Sequence, residues 1–98
     1  MTMKRKKMGQ EPVERTFVIG NKLGLHARPA AVFVQTANRF EAGVEVEKEE
    51  LKIDGKSIMG IMTLAAEMGS SILVRTTGKD AAEAMEALAK LIESNFGE

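Results

Sequence analysis

The sequence of 98 residues contains no cysteine and a single histidine. Without cysteine there is no disulfide framework, and one histidine cannot assemble a transition-metal ligand set. Excess charge is missing too. Fourteen Lys and Arg residues face 14 Asp and Glu, so no broad basic field for nucleic acid exists. No apolar run approaches the ~20 residues that span a bilayer. The basic cluster Lys4-Arg5-Lys6-Lys7 is not followed by the apolar stretch of a secretory signal. There is no serine in a nucleophile-elbow motif, no Gly-rich lysine loop for a nucleotide, and no carboxylate close to the histidine in sequence to orient it. These absences point to a soluble cytoplasmic protein that is not a standalone enzyme. They leave no metal and no cofactor, and neither nucleic acid nor membrane as a partner.

What is present falls into two parts. Residues 1–13 carry the basic cluster, Gln10, Glu11 and Pro12, with almost no apolar periodicity, and read as a disordered basic arm. Residues 14–98 read as one small domain. The run Glu14 to Ile19 is rich in strand formers, and Gly20 to Gly24 is a loop. Ala30, Phe33, Val34 and Ala37 fall at helical spacing, which predicts a helix from about Ala27 to Arg39 with Pro29 in its first turn. Val44 and Val46 alternate with glutamates, and Leu51 and Ile53 alternate with Lys52 and Asp54, which predicts a hairpin turning near Lys48-Glu49. A second helix is expected from Ser57, as its cap, through Ile58 to Met68, stopped by Gly69. Ser71 to Thr77 is a fourth strand. Asp80 and Glu83 resemble a capping box for a last helix with Ala81, Ala84, Met85, Leu88, Leu91 and Ile92 on one face, ended by Gly97. The order βαββαβα, with one apolar face per strand, implies an α+β fold. Its simplest packing is two layers, an antiparallel sheet with the helices on a single face.

The histidine lies in Gly24-Leu25-His26-Ala27-Arg28-Pro29-Ala30. A lone histidine at a helix start is commonly a surface residue. Here it shares one turn with an arginine, and a helix start offers unpaired N–H groups and a positive dipole end to an anion. The guanidinium adds a permanently charged fork for phosphate oxygens. A neutral imidazole, with an ordinary pKa near ~6.5, attacks phosphorus without prior deprotonation. His26 and Arg28 are therefore the candidates for carrying a phosphoryl group, and His26 is expected to be exposed.

The second unusual segment is Ser57-Ile58-Met59-Gly60-Ile61-Met62. It holds more apolar surface than one core stripe needs, so part of it is expected to face solvent as an adaptable contact. A phosphate on Ser57 would set a dianion at a helix start beside that surface, where it repels acidic partners.

Taken together, the heptapeptide around His26 and Lys56-Ser57-Ile58-Met59-Gly60-Ile61-Met62 downstream resemble the active-centre and regulatory-serine signatures of the HPr phosphocarriers of the bacterial phosphotransferase system. The resemblance covers residues 14–98. It implies an open-faced β-sandwich of four antiparallel strands and three helices. It further implies that His26 takes phosphate from phospho-enzyme I on Nδ1 and passes it to an enzyme IIA domain, steadied by Arg28. Ser57 would be modified by HPr kinase/phosphorylase. Ala27, Ala31, Gln35, Ile58, Met59 and Met62 would form the partner surface, open also to a transcriptional regulator, on a monomeric chain. A paralogue lacking the histidine is excluded by His26. The nitrogen-branch carrier, NPr, is suggested by Asn21-Lys22-Leu23-Gly24 and the Asn95-Phe96-Gly97 segment. A pure binding module acting through the Ser57 surface is a further alternative.

Overall fold

The computed structural model describes residues 11–98. The basic cluster of the expected arm lies outside them. The elements are β1 (Val13–Val18), α1 (Ala27–Ala37), β2 (Gly43–Lys48), β3 (Leu51–Asp54), α2 (Ile58–Thr63), β4 (Ser71–Thr77) and α3 (Ala81–Glu93), followed by a 3₁₀ turn at Asn95–Gly97. All strand pairs are antiparallel, in the order β1-β4-β2-β3. The expected α+β fold is therefore the observed one.

Period-2 alternation sends Phe17, Val44, Val46, Ile72 and Val74 into the core. The helices close over that face, with Ala30, Phe33, Val34 and Ala37 of α1 and Ala84, Met85, Leu88 and Ile92 of α3 buried. The other face stays open. There Arg75 of β4 is clasped by Glu14 of β1 and by Glu45 and Glu47 of β2. The β2–β3 hairpin turns through Glu49 and Glu50, both at positive φ (51° and 73°). That geometry suits the right-handed twist of the strands, although neither residue is glycine or asparagine.

Several boundaries differ from the sequence expectations: Val13, assigned to the arm, opens β1 and pairs with Thr76, and α3 ends at Glu93 ahead of the expected stop at Gly97. At α2 and at Asp80 tertiary contacts outbid local signals. α1 ends two residues early, at Ala37 with Asn38 as its cap. α2 stops at Thr63, not Met68. Beyond it Leu64 and Ala66 turn inward and are buried, Ala65 takes a positive φ of 50°, and the Ala66 carbonyl accepts the Leu25 N–H at 2.9 Å. A helix continued to Met68 would need a negative φ at Ala65, so the left-handed residue there ends it. The capping box at Asp80 does not form. Asp80 precedes α3 without a side-chain cap, and its carboxylate accepts the amides of Glu41 (3.0 Å) and Ala42 (2.8 Å). It thereby pins the α1–β2 connection.

Those bonds hold the Asp80 carboxyl below the usual aspartate range. The Glu41 amide is the main cause, with the Ala42 amide and the Lys56 charge adding to it. A carboxyl with a lowered folded pKa stabilises the fold above its unfolded value of about 3.9 and loses that contribution as pH falls through the folded value. Asp80→Asn is thus expected to lower the urea midpoint at neutral pH, and the gap to the parent should close in acid, as pH falls through the lowered folded value. A gap of the same size in acid and at neutral pH would rule out the charge as its origin.

Candidate functional site

The loop before α1 is fixed by a close approach. Gly24 has a φ of +68°, and a Cβ there would overlap the Ala66 carbonyl oxygen and lie 2.9 Å from Glu67 Cα. Only glycine satisfies both conditions. Leu25 then buries its side chain and donates to Ala66 O. His26 follows as the N-cap of α1, with extended backbone (φ −78°, ψ −172°), and its carbonyl accepts the Ala30 N–H at 3.0 Å. Its imidazole makes no capping bond and remains 36% exposed.

Pro29 supplies no N–H, so the amides that α1 leaves at its start are those of Ala27 and Arg28. Arg28 is exposed and forms no ion pair among the described residues. His26, Arg28 and Val32 line one open depression together with Leu23, Phe96 and Glu98. An imidazole, an uncommitted guanidinium and a helix start are therefore brought together in an open setting where an anion meets all three.

The carboxylate missing from the neighbourhood in sequence is supplied across the fold. Glu98 Oε2 lies 3.2 Å from His26 Nε2. The chain reaches this point through Asn95, Phe96 and Gly97, all in the left-handed region (φ 55°, 60° and 76°). For Phe96 that conformation costs about 1–2 kcal/mol, offset by the burial of its ring. The other oxygen, Glu98 Oε1, accepts Asn21 Nδ2 at 2.8 Å. Asn21 and Glu98 were not legible as site residues, because nothing in their local sequence announces the contact.

The Ser57 segment forms a neighbouring surface. Ser57 Oγ accepts the Gly60 N–H at 3.0 Å, the capping role expected of it. Ile61 is buried, while Ile58 (43%), Met59 (74%) and Met62 (41%) are exposed. α2 packs against α1, on which Ala27 and Gln35 are exposed and Ala31 is half-buried. The groove between α1 and α3, lined by Phe40, Ala87 and Leu91 among others, contains none of the expected site residues. No helix among the described residues is long and apolar enough to cross a membrane.

Residues 13–94 match the family model of the PTS HPr component phosphorylation site. The chain belongs to the HPr phosphocarrier family. It is 50% identical to phosphocarrier protein HPr of Neisseria meningitidis over 86 residues, which is 88% of this chain and 97% of the relative. Identity to the HPr-like protein Crh of Halalkalibacterium halodurans is 52% over 81 residues, covering 83% and 96%. Two structures of HPr from Thermoanaerobacter tengcongensis superimpose on it. HPr-C-His does so with a TM-score of 0.85 and 52% identity, over 88% of this chain and 97% of the other. An HPr dimer does so with a TM-score of 0.72 and 47% identity, over 98% and 100%. The open-faced sandwich of four strands and three helices is thus an HPr fold.

Proposed function

We propose that this HPr-family chain is a phosphoryl carrier in which His26 accepts phosphate from phospho-enzyme I and donates it to an enzyme IIA domain. The observation that carries this reading is the open depression shared by His26 and Arg28 at the start of α1. In the forward step the Nδ1 lone pair attacks phosphorus. The bond from phosphorus to the donor enzyme breaks, and its electron pair leaves with the donor. The Nε2 proton stays in place, facing Glu98. Arg28 and the amides at the helix start take up the charge of the phosphoryl oxygens. The reverse sequence delivers the group to the acceptor. An open site suits this task, because both reactants are proteins that must reach the ring.

Incubation with phosphoenolpyruvate and enzyme I should place an acid-labile phosphate on the chain. A chain that stays unlabelled beside a labelled reference HPr would refute the carrier reading.

Ile58, Met59 and Met62, with Ala27, Ala31 and Gln35, form the docking surface in this proposal. Ser57 is its control point, phosphorylated by HPr kinase/phosphorylase and presented in that form to a transcriptional regulator. The relay needs one chain at a time, so the working form is a monomer, and its partners place it in the cytoplasm.

Met59→Asp should slow phosphoryl uptake from enzyme I about tenfold or more, since burying one methionine contributes about 1.5–3 kcal/mol. Ser57→Asp should slow uptake in the same direction through like-charge repulsion. Both variants should keep stability within about 0.5 kcal/mol, because Met59 is exposed and aspartate is itself a good N-cap. Unchanged uptake kinetics in both would remove the α2 surface from the docking site.

A further inference from the structure

Asn21 is 3% exposed, yet it is an uncharged polar residue in a loop. Its Nδ2 donates twice, to Asn95 O at 3.1 Å and to Glu98 Oε1 at 2.8 Å. Two acceptors on one side of the amide fix its orientation, because a flipped amide would aim an oxygen at both of them. Its Oδ1 is buried without a partner among the described residues. Its backbone carbonyl accepts the Gly24 N–H at 3.0 Å and closes the turn that leads to His26. One residue thus ties the loop before His26 to the left-handed turn that delivers Glu98.

The Glu98 carboxylate is divided between two partners, Oε1 to Asn21 and Oε2 to His26 Nε2 at 3.2 Å. A carboxylate only accepts hydrogen bonds, so the ring nitrogen facing it is favoured in its protonated form. Once Nε2 holds the proton of a neutral ring, the lone pair is on Nδ1.

We propose that Asn21 is a positioning residue for His26, acting through Glu98 to hold the imidazole as its Nε2–H tautomer with Nδ1 free to react. The inference rests on the carrier reading for its purpose, and on Asn21, Glu98 and His26 alone for its geometry. Without Asn21 the carboxylate loses the donor that fixes one oxygen, and the left-handed turn loses the bond to Asn95 O. Glu98 then samples orientations that do not meet Nε2, and the tautomer preference relaxes.

The test is ¹⁵N NMR of the His26 ring in the full chain at about pH 9, above the ordinary imidazole range of ~6.5. His26 is the only histidine, so its ring signals are assigned without ambiguity. The parent should show Nε2–H in large excess. Asn21→Ala and Glu98→Ala should each raise the Nδ1–H fraction about threefold or more. Asn21→Ala placed on Glu98→Ala should add nothing, because the residue acts through that carboxylate. A parent-like tautomer ratio in Asn21→Ala would overturn the proposal. So would a full Asn21→Ala effect in the Glu98→Ala background. Phosphate uptake is read separately, so a chain that shows the tautomer shift but takes no phosphate upholds the positioning and overturns the carrier reading.

Discussion

His26→Ala should fold like the parent and take up no phosphate from phospho-enzyme I. The imidazole is the acceptor placed at the helix start beside Arg28, and a carboxylate such as Glu98 would form an acyl phosphate of different lability in its place. Its removal should leave the fold intact, because the ring makes no capping bond and stands partly in solvent. The helix keeps its start through the His26 carbonyl, which any residue supplies. Arg28→Ala is the graded companion. A charge-assisted bond to a phosphoryl oxygen is worth about 1.5–3 kcal/mol, so uptake should slow about ten- to a hundredfold while the label still arrives at His26. The measurement is transfer of radioactive phosphate with acid lability as the signature. Label persisting in His26→Ala at the parental level would place the acceptor elsewhere.

Gly24→Ala should cause the largest loss of stability among single substitutions near the site. The added methyl meets two obstacles at once. The backbone is at φ +68°, which costs a non-glycine residue about 1–3 kcal/mol. The Cβ also falls against the Ala66 carbonyl and Glu67 Cα, which are backbone atoms and cannot swing aside. Overpacking of that kind adds about 1–3 kcal/mol. The expected total is about 2–6 kcal/mol, or a drop in Tm of several degrees for each kcal/mol in a domain of this size. The strain is relieved only by moving the loop off the Leu25–Ala66 bond, which carries His26 with it. Uptake should therefore fall together with stability. A loss under about 1 kcal/mol in urea denaturation would show that the loop yields without cost.

Much of this architecture is written locally. Ala30, Phe33, Val34 and Ala37 declare the buried face of α1 because a helix returns every 3.6 residues to the same side. All four are buried. Val44, Val46, Ile72 and Val74 declare their strands by alternation in the same way. The Ser57 cap was readable because its bond to Gly60 spans a single turn. The extent of α2 was not readable. From Ile58 to Met68 nothing breaks a helix, and it stops where Ala65 turns left-handed so that Leu64 and Ala66 are buried and Ala66 O meets the Leu25 N–H. Asp80 misled for a similar reason. Its capping pattern is sound, but the carboxylate is committed to Glu41 and Ala42 across the fold.

The chemistry divides along the same line. The chain alone specified a histidine and an arginine within one turn of a helix start, since that juxtaposition follows from two positions in sequence and the geometry of the first turn. It equally specified an apolar excess after Ser57. The tertiary structure decided which of those apolar side chains face solvent, and it brought Glu98, held by Asn21, to the ring. That second contact depends on three successive left-handed residues and a bond between distant loops. Periodicity and propensity describe neighbours along the chain. They carry no record of a carboxylate that reaches a histidine only when the whole domain has closed.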